Sequence, residues 1–436
     1  MSATPTSTFV IVGAGLAGAK AAETLRAEGF DGRLLLLGDE AERPYDHPPL
    51  SKAYLRGETD RDSLYVHEES FYAAHGIELR TSTPVRWIDP VGHQLELASG
   101  EQISYERLLL ATGATPRRLP LPGADLAGVQ YLRTRSDADA LVAAAAHAEH
   151  VVVVGTGWIG SEAAASLRQL GRDVTLIGPD TAPLARVLGP EIGGVYRDLH
   201  ADHGVRLALG TRVAGFRGRG RVEAVVTDDG RTVEGDLVLV GAGAAPRTEL
   251  AEAAGLPVRN GLLVNEQLEA VGAAGVYAAG DVAAAWHPRY QSYLRVEHWA
   301  NALNQGPAAA RNMLGIPTPY ARLPYFYSDQ YDLSMEYSGF AATWDRVVVR
   351  GDPAARQFIA FWLKDQRVVA GMNANVWDVT EPIQALIRGG LPVDPERLAD
   401  PGIPLDQVTG DRAGGVAPVR NRYVPRPARP AKVVMT

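Results

Sequence analysis

With 436 residues the chain is long enough for two or three domains, each with its own core. Apolar content of 46% and charged content of 22% are those of an ordinary globular protein, and a formal net charge of −8 argues against general nucleic-acid binding. The chain has no cysteine, which removes disulfides, thiolate metal sites, cysteinyl iron–sulfur clusters and thiol nucleophiles, and no metal site is expected.

Met1 to Thr8 carries no basic stretch, and the first apolar run, Phe9 to Val12, is far too short for a signal segment or a membrane span. A soluble, cytoplasmic protein with no membrane contact is expected. Phe9 to Val12 reads as a buried parallel strand, then a glycine turn, then a helix to about Glu28. A second strand is expected at Arg33 to Leu37, ending at Gly38-Asp39-Glu40. A Pro-rich loop from Arg43 to Leu50 runs into Ser51-Lys52, where a helix is expected to start. Leu108 to Ala114 reads as one buried strand ending in small residues. Pro116, Pro120 and Pro122 mark a crossover out of this first unit.

Val151 to Val154 opens a second unit of the same kind, which closes near Leu237 to Gly243. Val276 to Val282 reads as a further strand ending in an exposed acid, Asp281. From about Leu323 to Val408 the pattern changes to alternating strands, at Leu333 to Tyr337, Arg346 to Arg350, Gln357 to Leu363 and Arg367 to Met372. A helix is expected at Thr380 to Arg388. The fold class is therefore α/β, with two Rossmann-like nucleotide-binding domains and a small C-terminal α+β domain. The expected division is 1–115 with 245–322, then 116–244, then 323–410. A basic Pro/Arg-rich tail, 411–436, is expected to be disordered.

The two glycine turns are the sharpest motif. Gly13-Ala14-Gly15-Leu16-Ala17-Gly18 follows the first strand, and Gly155-Thr156-Gly157-Trp158-Ile159-Gly160 follows the strand at Val151 to Val154. In such a turn the first glycine allows the bend and the second lets a pyrophosphate approach the backbone. The third lets helix and strand pack closely, and the helix N-terminus faces the anion. An acid about 20 residues on is placed to reach the ribose hydroxyls, and Asp39, with Glu40 beside it, stands there. In the second unit that acid is displaced: the strand ends in Gly178-Pro179-Asp180, and Arg186 is the first cation beyond it. NADH is favoured, with NADPH left open.

Two dinucleotide sites in one chain imply electrons moving from one nucleotide to the other, and without cysteine they cannot leave through a protein dithiol. Glu162 is expected in the first turn of the helix that follows the second glycine turn. Position alone leaves open whether it complements the helix dipole or contacts a nicotinamide carboxamide. Asp281 is either a turn aspartate or a carboxylate set against ligand hydroxyls. Arg43 and Lys52 are either solvated cations or partners of a pyrophosphate or redox ring.

These residues resemble the FAD-dependent NAD(P)H:ferredoxin reductases of oxygenase systems, the putidaredoxin reductase type, to which rubredoxin reductase and apoptosis-inducing factor are related. The resemblance runs from about residue 8 to about 408. It is carried by Arg43-Pro44-Tyr45 through Pro48-Pro49-Leu50-Ser51-Lys52, Ala111-Thr112-Gly113 and Gly280-Asp281-Val282. Arg295-Val296-Glu297-His298-Trp299 with Asn301-Ala302, and Ser328-Asp329-Gln330-Tyr331, complete it.

The resemblance implies FAD at the first turn and NADH at the second. Electrons would pass as a hydride from NADH to FAD, then singly to an iron–sulfur ferredoxin serving an oxygenase. It implies that Arg43 and Lys52 lie near the flavin or its phosphates, that Asp281 binds the ribityl chain, and that Glu297, His298 and Trp299 pack at the flavin ring. It also sets Glu162 beside the nicotinamide, and Glu162, Lys52 and Trp299 are the expected catalytic residues. Gly13, Gly15, Leu16, Ala17, Gly18, Asp39, Glu40, Ala111, Thr112, Gly113, Arg117, Gly280, Val282 and Tyr327 complete the expected FAD contacts. Gly155, Gly157, Ile159, Gly160, Asp180 and Gly243 complete those to NADH.

The sequence departs from this family at His47, where many members carry Arg, and at Tyr325 and Tyr327, where many carry Trp. A rubredoxin, quinone or monodehydroascorbate reductase, or a flavoprotein that senses NADH as apoptosis-inducing factor does, is the competing reading. Disulfide reductases need a redox cysteine pair and are excluded. The tail offers Arg412, Arg420, Arg422, Arg426, Arg429 and Lys432 against Asp411 as a basic dock for an acidic ferredoxin, set against a solvated extension with no role.

Overall fold

A computed structural model describes residues 7–409. The tail, and with it the basic dock, lies outside the described residues. Two parallel five-stranded sheets dominate the fold. The first has the order Val276–Ala278, Arg107–Leu110, Thr8–Val12, Arg33–Leu37, Ile77–Arg80. The second has the order Arg206–Leu209, Asp173–Gly178, His150–Val154, Leu237–Val240, Val129–Tyr131. Their strands are unbroken apolar runs because both faces are covered, which is how a parallel sheet is built. Val10, Ile11, Val152, Val153 and Leu239 are all essentially without solvent contact.

In each sheet the strand before the glycine turn is central, flanked by the two strands whose ends it must meet. The helices Leu16–Ala27 and Trp158–Gln169 follow the turns, and their alanines let them lie close on the sheets. The chain crosses between the units at Ala114–Pro116 and returns at Ala244–Pro246. These two segments pair antiparallel into a ribbon, with Arg117 N–H on the Gly243 carbonyl at 2.9 Å and Arg247 N–H on the Gly113 carbonyl at 3.0 Å.

The C-terminal sheet is antiparallel, ordered Tyr325–Gln330, Leu333–Gly339, Arg367–Ala374, Gln357–Lys364, Arg346–Asp352. Helix Thr380–Gly389 covers one face. Helix Ala185–Asp202 of the second unit covers the other, through Leu188, Ile192, Tyr196 and Leu199 against Phe358 and Trp362. The Trp362 indole N–H reaches the Leu188 carbonyl at 3.2 Å. Among the described residues no helix is long and apolar enough to cross a membrane.

Three local expectations change. No α-helix starts at Ser51: a 3-10 turn, Pro48–Ser51, ends there, because Lys52 (φ −125°, ψ −114°) leaves the helical region. The strand expected from Leu108 to Ala114 stops at Leu110, and the left-handed Gly113 (φ 72°) starts the ribbon. Asp281 is not exposed; it is 8% accessible, just past the strand Val276–Ala278.

Candidate active site

The two glycine turns are near copies. Gly13 N–H binds the Leu37 carbonyl at 2.7 Å, and Gly155 N–H binds the Ile177 carbonyl at 2.8 Å. Gly13 (φ 116°) and Gly155 (φ 111°) hold a backbone that side chains rarely adopt. A Cβ at Gly18 would stand 2.0 Å from the Gly13 carbonyl oxygen, and one at Gly160 would stand 1.9 Å from that of Gly155. Gly15 and Gly157 differ from these: a Cβ there would meet nothing within 4 Å. Each is the N-cap of its helix, with no side-chain cap and no acid in the first turn. Open space at an uncapped helix N-terminus leaves room for the pyrophosphate that such a turn can cradle. Leu16, Ala17 and Ile159 sit in those first turns. Ile159 is exposed beside Gly157.

The equivalent hydrogen bonds fix the register beyond each second strand. Gly38 matches Gly178, so Pro179 stands in the place of Asp39. Asp39 is paired with Arg247 at 2.7 Å, and Asp180 with Arg186 at 3.2 Å. The Glu40 carboxylate accepts from the Tyr45 hydroxyl at 2.6 Å, and burial pushes its pKa up.

Around the first turn, Ala111, Thr112 and Gly113 end the neighbouring strand, and the Thr112 hydroxyl is tied to the Arg247 carbonyl at 2.8 Å. Gly280 N–H is held by the Gln305 side-chain oxygen at 2.9 Å. The Asp281 carboxylate pairs with Arg133 at 2.8 Å. Val282 is buried next to it. Arg133 is absent from the sequence reading. Its signal is only indirect: a capping box, Thr134 with Asp137, starts helix Arg135–Ala145 directly after it. Arg43 is engaged elsewhere, stacked 3.4 Å from the Tyr65 ring centre and donating to the His67 carbonyl at 3.3 Å. Arg117 is pinned on the ribbon by the Ala244 carbonyl at 3.0 Å, against Gly243.

Glu162 is the hub where the units meet. It is 4% accessible and lies in the second turn of its helix, past the reach of the helix dipole suggested by the sequence. Its Oε2 accepts from Lys52 Nζ at 2.6 Å and from Ser51 Oγ at 2.6 Å, and its Oε1 from Ser328 Oγ at 2.8 Å. Two segments far apart in sequence, Ser51-Lys52 and the strand carrying Ser328, thus converge on one carboxylate. Lys52 Nζ also stands 5.8 Å from the Tyr327 ring centre. Tyr327 meets Trp299 edge to face at 6.4 Å, and the Trp299 indole donates to Asp46 at 2.7 Å. His298, the N-cap of helix Trp299–Met313, packs on Phe326 at 4.3 Å, and burial lowers its pKa to about 4. The Glu297 carboxylate is held by Arg295. His47 packs on Tyr45 at 5.0 Å, and burial lowers its pKa to about 3, so it does not supply the cation of an arginine there. Tyr325 donates to Glu336 at 2.6 Å.

Comparison with known proteins places these features in context. Residues 7–306 match the family model of the pyridine nucleotide-disulphide oxidoreductases, and residues 325–409 match that of the reductase C-terminal domain. Rhodocoxin reductase of Rhodococcus erythropolis is 38% identical over 90% of this chain and 92% of its own length. The ferredoxin–NAD(+) reductase component of the anthranilate 1,2-dioxygenase system of Burkholderia cepacia is 39% identical, over 93% of this chain and 99% of its own. The crystal structure of the covalent putidaredoxin reductase–putidaredoxin complex superposes with a TM-score of 0.89 at 36% identity, covering 93% of this chain and 98% of that one.

Proposed function

The chain belongs to the pyridine nucleotide-disulphide oxidoreductases with a reductase C-terminal domain, and from that premise we propose that it is the NADH:ferredoxin reductase of an oxygenase system. FAD, when bound, would supply the chemistry that links a two-electron hydride donor to a one-electron iron–sulfur acceptor. The observation that carries this reading is the Lys52–Glu162 pair. It joins the loop of the FAD unit to the helix that follows the second glycine turn, with no cysteine anywhere in the chain to accept electrons.

The residues divide the work of binding and orientation. The Gly15 turn, Asp39, Arg133 and Asp281 hold FAD, and the Gly157 turn and Asp180 hold NADH. Glu162 and Lys52 would orient the two nucleotides at the junction of the units, and Trp299 and Tyr327 would line the flavin side of that junction. The domain division 1–115 with 245–322, 116–244 and 323–410 is part of this reading. What supports it is that the outgoing and returning crossovers pair as one ribbon at those boundaries. A cytoplasmic site, where NADH is made and used, is part of it too.

Anaerobic titration of the purified protein with NADH should bleach its flavin, and cytochrome c reduction should depend strictly on an added ferredoxin. Rapid bleaching with no ferredoxin dependence would favour a quinone reductase or an NADH-sensing flavoprotein instead.

A further inference from the structure

The strand Tyr325–Gln330 turns Phe326, Ser328 and Gln330 to one buried face. Phe326 is an ordinary core residue. Ser328 and Gln330 are each 1% accessible, and burying such groups is costly unless every one is hydrogen-bonded. They are bonded in a single directed line. The buried His200 of helix Ala185–Asp202 donates from Nε2 to Gln330 Oε1 at 3.1 Å. The Gln330 amide donates to Ser328 Oγ at 3.3 Å, and that hydroxyl donates to Glu162 Oε1 at 2.8 Å. The amide orientation that serves Ser328 turns its oxygen to His200, so the imidazole proton sits on Nε2. Burial, which lowers the His200 pKa, keeps the ring neutral.

Every donor in this line is aimed toward Glu162. The other carboxylate oxygen is already taken by Ser51 and Lys52. A line of apolar residues would fill the same space at lower cost, and the line directs its hydrogen bonds one way: His200 Nδ1 has no partner among the described residues, while Nε2 and the groups beyond it are bonded toward Glu162.

We propose that Ser328, Gln330 and His200 are positioning residues, which lock the Glu162 carboxylate from the C-terminal domain and so hold Lys52 at the junction of the two nucleotide sites. The proposal rests on the reading of Glu162 and Lys52 given above. Loosening the line misplaces the pair by a fraction of an ångström without removing a contact to either nucleotide, so it acts on the rate of electron transfer rather than on binding.

The test compares the wild-type holoenzyme with Ser328→Ala, Ser328→Thr and Gln330→Met by anaerobic stopped-flow reduction with NADH, alongside flavin content, melting temperature and flavin midpoint potential. Ser328→Ala and Gln330→Met should lower the limiting rate of flavin reduction by about 10-fold, with the NADH dissociation constant within about 2-fold of wild type. Ser328→Thr keeps the hydroxyl and should recover the rate to within about 2-fold. The midpoint potential should shift in Ser328→Ala and return in Ser328→Thr. Wild-type limiting rates in both Ser328→Ala and Gln330→Met overturn the proposal. So does a Ser328→Thr protein as slow as Ser328→Ala, because the loss would then follow from packing and not from the hydrogen bond. A wild-type flavin that NADH leaves oxidised would overturn the reading of the site itself, and this proposal with it.

Discussion

Removing the Lys52–Glu162 pair whole should cost less than the two single losses added together. The ammonium and carboxylate are 2.6 Å apart, with side chains 11% and 5% exposed. At an effective dielectric of about 20, unit charges that close attract by about 6 kcal/mol, and the loss of hydration on burial takes back most of it. Glu162→Gln keeps the shape and removes the charge. The Lys52 ammonium then retains the Pro48 carbonyl, at 3.3 Å, and a weaker amide oxygen. Losing one partner of a buried pair costs about 3–5 kcal/mol. Lys52→Met strands the carboxylate instead, but Ser51 and Ser328 still donate to it, so its cost should fall toward about 2 kcal/mol.

In the double variant Lys52→Met, Glu162→Gln no charge is left unpaired. Its cost should be no more than that of Glu162→Gln alone, a coupling of about 2 kcal/mol. Denaturant unfolding reads this, followed separately by flavin release and by tryptophan fluorescence, because a chain with several cores need not unfold in one step. The same samples should show flavin retained in Glu162→Gln but reduced more slowly by NADH. Single-variant costs that add to within about 0.5 kcal/mol in the double variant would refute the reasoning, since independent sites add and a pair does not.

The glycine turns predict a crossed pattern. Gly15→Ala and Gly157→Ala place a methyl in open space, so both should melt as the wild type does in the flavin-free form. Gly15→Ala should lose flavin, while Gly157→Ala should keep it and raise the KM for NADH. Equal effects on both nucleotides would show that the turns are not separate sites. His200 makes a pH prediction. Burial lowers its pKa from 6.5 to about 4, so between those values the unfolded chain binds a proton that the folded chain does not. Stability should therefore fall as pH drops from 6.5 toward 4, by about 1.4 kcal/mol per unit from this one group, and its share should be constant outside that window. His47 and His298 share the sign, so the measurement is the difference between wild type and His200→Gln. An unchanged slope of unfolding free energy against pH in His200→Gln would contradict the buried neutral imidazole.

Legibility in the sequence followed the range of the forces involved. Phe9 to Val12, Arg33 to Leu37 and Val151 to Val154 announce buried parallel strands because their own side chains supply the burial. In each glycine turn the third glycine is decided within six residues, by the carbonyl of the first, while the first glycine answers to the distant backbone at Ala111 or Gly241. The displaced acid could be suspected from Gly178-Pro179-Asp180, but its register needed the hydrogen bond from Gly155 to Ile177. Arg133 was invisible because its partner, Asp281, lies in a different unit of the chain. Glu162 shows the limit most clearly. Read along its helix, it is an acid near a positive dipole. In space it is a buried charge, whose desolvation only Ser51, Lys52 and Ser328 together offset. None of the three is near it in sequence, and although Lys52 announces an anionic partner by its type, nothing local says which anion. A local pattern fixes what a residue does to its own backbone. A buried charge depends on what arrives from elsewhere, so its role is settled only when the units pack. By the same argument the directed line from His200 to Glu162 has no sequence signature beyond two polar residues on the inward face of a strand, Ser328 and Gln330. That breach of the apolar alternation is the mark to look for.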